Sequence, residues 1–285
     1  MATKIDELGD PGLSTELSRG EAGTCHLSMT GIDLEKDGPS QHMICDGNIG
    51  IRSYLSAVLA PASMRYPLYL QSFATGVLDA TTYADFGTFA SNQTGNTILV
   101  TLAAFNTIPV TLQLTGVSLA SFVVSAFIAG NIGHRVGHRT RWWLLLSNCL
   151  QNIILLGCLI PSFWYQDFMI GPHQWVMMMC FACSAGVQVA MARHVGCPEI
   201  PTAMLSSPLV DYITDPHLFR RWSDPRASAR NRRTIYVFSI ISGSFLGAAL
   251  HRHAGKGWAI AAAILVKLCM TAIIAVAKSQ ASADE

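Results

Sequence analysis

The sequence predicts an all-α, polytopic membrane protein: six transmembrane helices, two short broken or re-entrant segments and an inverted 3+3 repeat. Three observations predict it. Only 13% of the 285 residues are charged and 51% are hydrophobic, whereas a soluble domain carries about 25% charge. The apolar residues come in runs close to the roughly 20 that a spanning helix needs. The arginines concentrate in two of the loops between those runs. This pattern excludes a soluble α/β enzyme, and a net charge of +1 leaves no global field that would attract nucleic acid.

In chain order, residues 1–62 read as an acidic, disordered tail. They hold nine of the eighteen acidic residues and show no sustained apolar period, so they cannot bury enough surface to offset their ordering entropy. No basic cluster precedes an apolar run, which argues against a secretory signal. Within the tail's end, Arg52 to Met64 is mildly amphipathic, suited to a helix at the interface. The transmembrane domain, 63–280, holds runs at about 66–86, 111–133, 142–163, 174–193, 234–251 and 257–278, and residues 281–285 form a C-terminal tail. Two shorter stretches, 96–108 and 200–213, are too short to cross. Pro109 ends the first, and Pro201 opens and Pro208 interrupts the second.

Orientation follows from the basic loops. Arg135, Arg139 and Arg141 lie between the second and third runs, and the arginines of 220–233 precede the fifth, so both loops and both termini are expected in the cytoplasm. Arg252 and Lys256 fall on the opposite side. The two short stretches fit this count only if neither crosses fully. They would enter from opposite sides, buried in protein or lining a cavity.

The halves, repeat 1 at about 66–163 and repeat 2 at about 174–278, share a layout: a long run, a short broken stretch, two long runs. Ala74-Thr75-Gly76-Val77-Leu78 parallels Ser184-Ala185-Gly186-Val187-Gln188, and Thr94-Gly95 falls opposite Ser206-Ser207. Three runs per half is odd, so the second half is inverted relative to the first. Paired, interrupted short segments in inverted halves point to a transporter's central site.

The polar residues within this domain are the candidate site. Asn92, Gln93, Thr94, Gly95 and Asn96 form the densest cluster, at the junction of the first run and the first short stretch. They read either as a broken-helix site for a polar solute or as a capping turn between helices. Asn92-Gln93-Thr94 is also a glycosylation sequon, poorly placed against a bilayer. Asp79 lies mid-run, where an ionisable residue costs about 2.5–3.5 kcal/mol on insertion scales. It reads as a proton or cation relay, or as a structural hydrogen-bond partner. Gln188 is its approximate counterpart in the second half, and Ser206 the hydroxyl of the second break. Lys267, too deep to reach an interface easily, reads as the partner of a buried acid, with Asp79 a candidate.

Other features carry less. Five cysteines sit inside apolar runs as small apolar residues, and Cys180-x-x-Cys183 lacks the βαβ context of a redox motif. His134 and His138 have metal-capable spacing but no third ligand near in sequence, so no metal site is assigned. No phosphate loop, nucleophile elbow or zinc-protease motif occurs. The expectation is therefore no enzyme and no cofactor.

The run Gly76-x-x-Asp79…Phe89-x-Ser91-Asn92-Gln93-Thr94-Gly95-Asn96-Thr97, with Gly186-Val187-Gln188 and Pro198-Glu199-Ile200-Pro201-Thr202-Ala203-Met204, resembles the YoaK family of membrane proteins, in its fungal-type branch. The resemblance covers about 60–280 and implies a six-helix integral membrane fold without an assigned activity. One departure stands out: Ser206-Ser207 occupies the place of a second Thr-Gly. The leading expectation is a small-solute transporter or channel-like protein with a midplane polar site. The alternative is a non-transporting scaffold or assembly factor. The expected partners are the lipid bilayer and a small polar solute or proton, not nucleic acid.

Overall fold

The computed structural model describes residues 50–107, 109–165 and 171–280. Its helices are α1 (Ile51–Ser56), α2 (Arg65–Phe86), α3 (Gln93–Ala104), α4 (Leu112–Val136), α5 (Arg141–Trp164), α6 (Gln174–Arg193), α7 (Ser206–Ile213), α8 (Ser228–His253) and α9 (Lys256–Val276). Five of the long ones, α4, α5, α6, α8 and α9, are long and apolar enough to cross a membrane. At 22 residues α2 has the length, but Gln71, Ser72, Thr75, Asp79, Thr81, Thr82 and Asp85 make it the polar one. Of the six predicted runs, five are thus apolar helices long enough to cross, and the sixth, α2, is a polar helix of the same length.

The bundle is turned inside out relative to a soluble protein. Phe127, Ile153, Phe238, Phe245 and Leu265 face outward, while Gln71, Asn148, Gln151, Gln188 and Lys267 are buried. Such an apolar exterior would drive association in water and suits a lipid bilayer. The chain is a multi-pass membrane protein.

Local chemistry sets the helix ends. After Phe86, Gly87 adopts φ 62 and donates its N–H to Tyr83, a left-handed cap that stops α2. The Asn92 side chain accepts from the Gly95 N–H at 3.2 Å and starts α3. Pro208 does not interrupt a helix as the sequence suggested. It lies in the first turn of α7, where a missing N–H costs nothing. At about 1.5 Å per residue, α3 and α7 reach roughly 18 and 12 Å, well short of the ~30 Å hydrocarbon core.

Packing pairs α2 with α8 and α9, and α6 with α4 and α5; α5 lies on α9, α3 on α4 and α7 on α8. The two tightest crossings depend on glycine. A side chain at Gly76 would strike the Ile240 carbonyl and Ser244, and one at Gly186 would strike the Phe122 carbonyl and Ser125. Small residues allow such backbone approach between membrane helices.

Residues 50–62 do not belong to a disordered tail. Extended residues 57–60 are held between two other segments: Leu59 donates its N–H to the Arg139 carbonyl, Arg141 donates to Ala57 and Gln280 to Val58. Leu59 is fully buried. Buried Arg141 donates to the Ala277 carbonyl just past α9 and lies 4.2 Å from the Tyr54 ring centre, while the Tyr54 hydroxyl donates to Ala275. The predicted interfacial helix is only α1, followed by this strip and a short 3-10 turn, Pro61–Met64. The expectation for residues 1–49 lies outside the described residues, as does that for 281–285.

These contacts also sort the helix ends. The start of α2, the end of α4, the start of α5, the end of α6, the start of α8 and the end of α9 lie at one end of the bundle. The end of α2 meets that of α8 at the other, through His251 and Asp85 at 2.9 Å. Every described arginine and lysine lies at the first end except Arg252, Lys256 and buried Lys267.

Candidate functional site

A cavity of about 530 Å³ opens between the two helix breaks. From the first half come Thr75, Gly76 and Asp79 on α2, and Phe89, Asn92, Thr94, Gly95 and Ile98 around the first break. From the second come residues 203–207 at the second break, with Ile240 and Ser244 on α8. Of the residues singled out from the sequence, Asp79, Asn92, Thr94, Gly95 and Ser206 line it together. Among the described residues Asp79 is its only ionisable wall residue, surrounded by hydroxyls and an amide.

Asp79 also holds the first break in place. One of its oxygens accepts from the Ser91 N–H at 2.8 Å and the other from the Ser91 hydroxyl at 2.6 Å. The charge-assisted bonds are of the stronger kind, so the carboxylate is both cavity wall and anchor.

Gln93 and Asn96 do not reach the cavity. Asn96 is buried; its oxygen accepts from the Phe89 N–H at 3.0 Å, and its amide donates to the Phe89 carbonyl at 2.7 Å and to Ser118 at 3.0 Å. Gln93 donates to the Ala90 carbonyl at 3.0 Å. These two brace the loop 87–92 and act through the shape of the wall. The cluster thus divides by residue: Asn92 caps α3 and lines the cavity with Thr94 and Gly95, whereas Gln93 and Asn96 brace the loop.

Gln188 lies elsewhere. Its amide donates to Thr75 at 2.6 Å and its carbonyl accepts from Lys267 at 2.7 Å. It faces a void of only about 10 Å³, also bordered by Asp79 and Ser91. The acid expected for Lys267 is corrected: its ammonium donates to two glutamine carbonyls, Gln188 and Gln151 at 2.8 Å. Gln71 donates to the same Gln151 oxygen at 3.1 Å. Sequence reasoning passed over Gln71 and Gln151. Their signal was available: unbranched amides deep in apolar runs require partners.

The second break is held differently. Glu199 meets Arg232 at 2.5 Å, and the buried Tyr236 hydroxyl donates to the Met204 carbonyl at 2.6 Å. Burial pushes the Glu199 carboxyl up, but the Arg232 hydrogen bond and the charges of Arg232 and Arg233 outweigh it and hold it below its usual value. Thr202 takes φ 64, a left-handed conformation rare for threonine.

His134 and His138 do have a third imidazole beside them, which corrects the sequence reading. His194, closing α6, brings its ring within 4.9 and 4.1 Å of theirs, centre to centre. These three are the side chains best suited to hold a metal among the described residues.

An apolar exterior, a polar interior and a cavity between two helix breaks define a multi-pass helical membrane protein built around a buried polar site. The chain belongs to the family described as "Protein of unknown function (DUF1275)", whose model matches residues 68–273. It is similar to the UPF0700 transmembrane protein YoaK of Bacillus subtilis (strain 168), 27% identical over 151 residues, or 52% of this chain and 65% of that protein. The match thus takes in just under two thirds of that relative's length. No solved structure matches.

Proposed function

We propose that this protein passes a small polar solute or proton across its membrane without chemical conversion, through the cavity between the two breaks. The observation that carries this reading is the carboxylate of Asp79 in a cavity whose walls come from both halves. One acid among hydroxyls and an amide favours a solute that donates hydrogen bonds, neutral or cationic, over an anion. Asp79 would carry the coupling proton, with Asn92, Thr94 and Ser206 as solute ligands and Gln93, Asn96 and Gln188 behind them.

In this reading α2 crosses the membrane as a sixth span, enclosed by the apolar five, and α3 and α7 are re-entrant from opposite sides. The halves form an inverted repeat. Exchange of the halves converts the α2–α8 pair into α6–α4 and the α2–α9 pair into α6–α5, and Gly76 then takes the place of Gly186. The basic end faces the cytoplasm, so the chain enters and leaves the bundle there. Single cysteines at Ser223 and Ala254, both exposed, label from opposite sides of sealed vesicles. Same-side labelling overturns the six-span arrangement.

The transport test is uptake into proteoliposomes across a panel of labelled polar solutes, with and without a proton gradient. Wild type should exceed empty vesicles for at least one solute, and Asp79→Asn should abolish the gradient dependence. Uptake equal to that of empty vesicles across the panel overturns the reading. One observation favours a non-transporting scaffold instead: Ser91 donates to both Asp79 oxygens, as a purely structural anchor would require.

A further inference from the structure

At the basic end of the bundle, three imidazoles converge from two helices. His134 stands in the last turn of α4, His138 follows a sharp turn at Gly137 (φ 99), and His194 caps α6. His138 Nε2 and His134 Nδ1 are 2.9 Å apart, and one nitrogen from each of the three rings lies within 4.8 Å of the other two. A tetrahedral zinc-class ion with metal–nitrogen bonds of about 2.0–2.1 Å separates its ligand nitrogens by about 3.4 Å. A nearest pair at 2.9 Å and a spread of no more than 4.8 Å lie close enough to that value for ring rotations to reach it.

The cluster has a built seat. A side chain at position 133 would crowd His138 Nδ1 and Trp143 Nε1, at 2.8 and 3.1 Å from its first carbon. Glycine at 133 thus leaves α4 the room that the His138 ring fills. His138 is partly buried, while His134 and His194 open to the exterior, which leaves a fourth position for water or an anion. Three imidazoles and no carboxylate select borderline transition metals over calcium or magnesium. Arg135, Arg139 and Arg193 flank the ligands in sequence, so the surroundings favour an anionic fourth ligand.

We propose that His134, His138 and His194 form a three-histidine site for a divalent transition metal of the zinc class, joining the end of α4 to the end of α6. The site stands on its own geometry and is independent of the transport reading.

Cobalt(II) titration of the tag-free, chelator-stripped full chain in detergent tests it. Visible ligand-field bands should saturate at one cobalt per chain and disappear on zinc addition. His194→Gln and His138→Gln should each weaken cobalt binding by at least about 10-fold, since loss of an outer partner alone costs that much. His253→Gln, at the opposite end, should leave it unchanged. Size exclusion identifies any variant that fails to fold, and the remaining ligand variant then decides. Absence of saturable bands in wild type overturns the site, as does unchanged affinity in the folded ligand variants.

Discussion

The two helix breaks face each other across one cavity, yet they are held by different means. The first is braced by neutral amides and by Asp79, from α2, α3 and α4: Asn96 clasps Phe89 at both backbone groups and Asp79 clasps Ser91. The second is tied chiefly to α8, by the Glu199–Arg232 ion pair and the Tyr236–Met204 bond, with Cys197 donating to the Pro61 carbonyl beside them. The first half therefore contributes a charged wall with a buried, hydrogen-bonded frame. The second contributes hydroxyls at 206 and 207 on a frame partly open to solvent. Such asymmetry separates a break that brings a carboxylate to the cavity from one that brings hydroxyls alone.

The largest effect that tests this contrast is at Asn96. Asn96→Leu strips the Phe89 N–H of its partner and leaves the Phe89 carbonyl only the Ser118 hydroxyl, and should cost about 2–3 kcal/mol, read as a lowered thermal midpoint in detergent. Tyr236→Phe at the second break removes one hydrogen bond and should cost about 1 kcal/mol. Equal losses would erase the contrast.

Asp79→Asn comes next. The amide keeps one acceptor for the Ser91 N–H, and the Ser91 hydroxyl can turn to accept, so about 1–2 kcal/mol is expected. Because Lys267 bonds Gln151 and Gln188 rather than Asp79, Lys267→Met should add its own loss to that of Asp79→Asn in a double-mutant thermal series. Recovery in the double mutant would show a coupling that the side-chain positions lack.

The smallest effect is a pH dependence. Glu199 titrates below its usual 4.5 in the folded protein. Its stabilisation is thus complete above that value and is lost as pH falls through the lowered one. The pair is partly exposed, so the loss is below about 1 kcal/mol. Acidification should lower the thermal midpoint more in wild type than in Glu199→Gln. An equal drop in both would remove Glu199 from the second break's hold.

Much of this arrangement was legible in the sequence. Each predicted run lies on a helix whose ends agree to within six residues, because the apolar period and the prolines report the apolar surroundings directly. Asp79, Asn92, Thr94 and Ser206, which line one cavity, were singled out because polar side chains stand out against an apolar background. What was not legible was direction. Asn96 and Gln93 belong to the same cluster as Thr94, and only the helical turn decides which face the loop and which the cavity. The Lys267 partners were missed because an ammonium suggests an acid, while two amide carbonyls satisfy it equally. His194 was missed because 56 residues separate it from His138 and only packing of α4 on α6 joins them. The strip at 57–60 was assigned to the tail because its partners lie far along the chain and its own composition is unremarkable.

That strip has a consequence for how the protein is made. Tyr54 and Ala275, which meet at its edge, are 221 positions apart in sequence. At synthesis rates of about 5–20 residues per second, the early segment waits roughly 10–45 s for its last partner to leave the ribosome. Until then Leu59 lacks one flanking segment and Arg141 lacks the carbonyl of Ala277. The basic end of the bundle is thus a latch that only a chain reaching past Ala277 can close, and a product truncated before Ala275 would carry an open, recognisable edge for quality control.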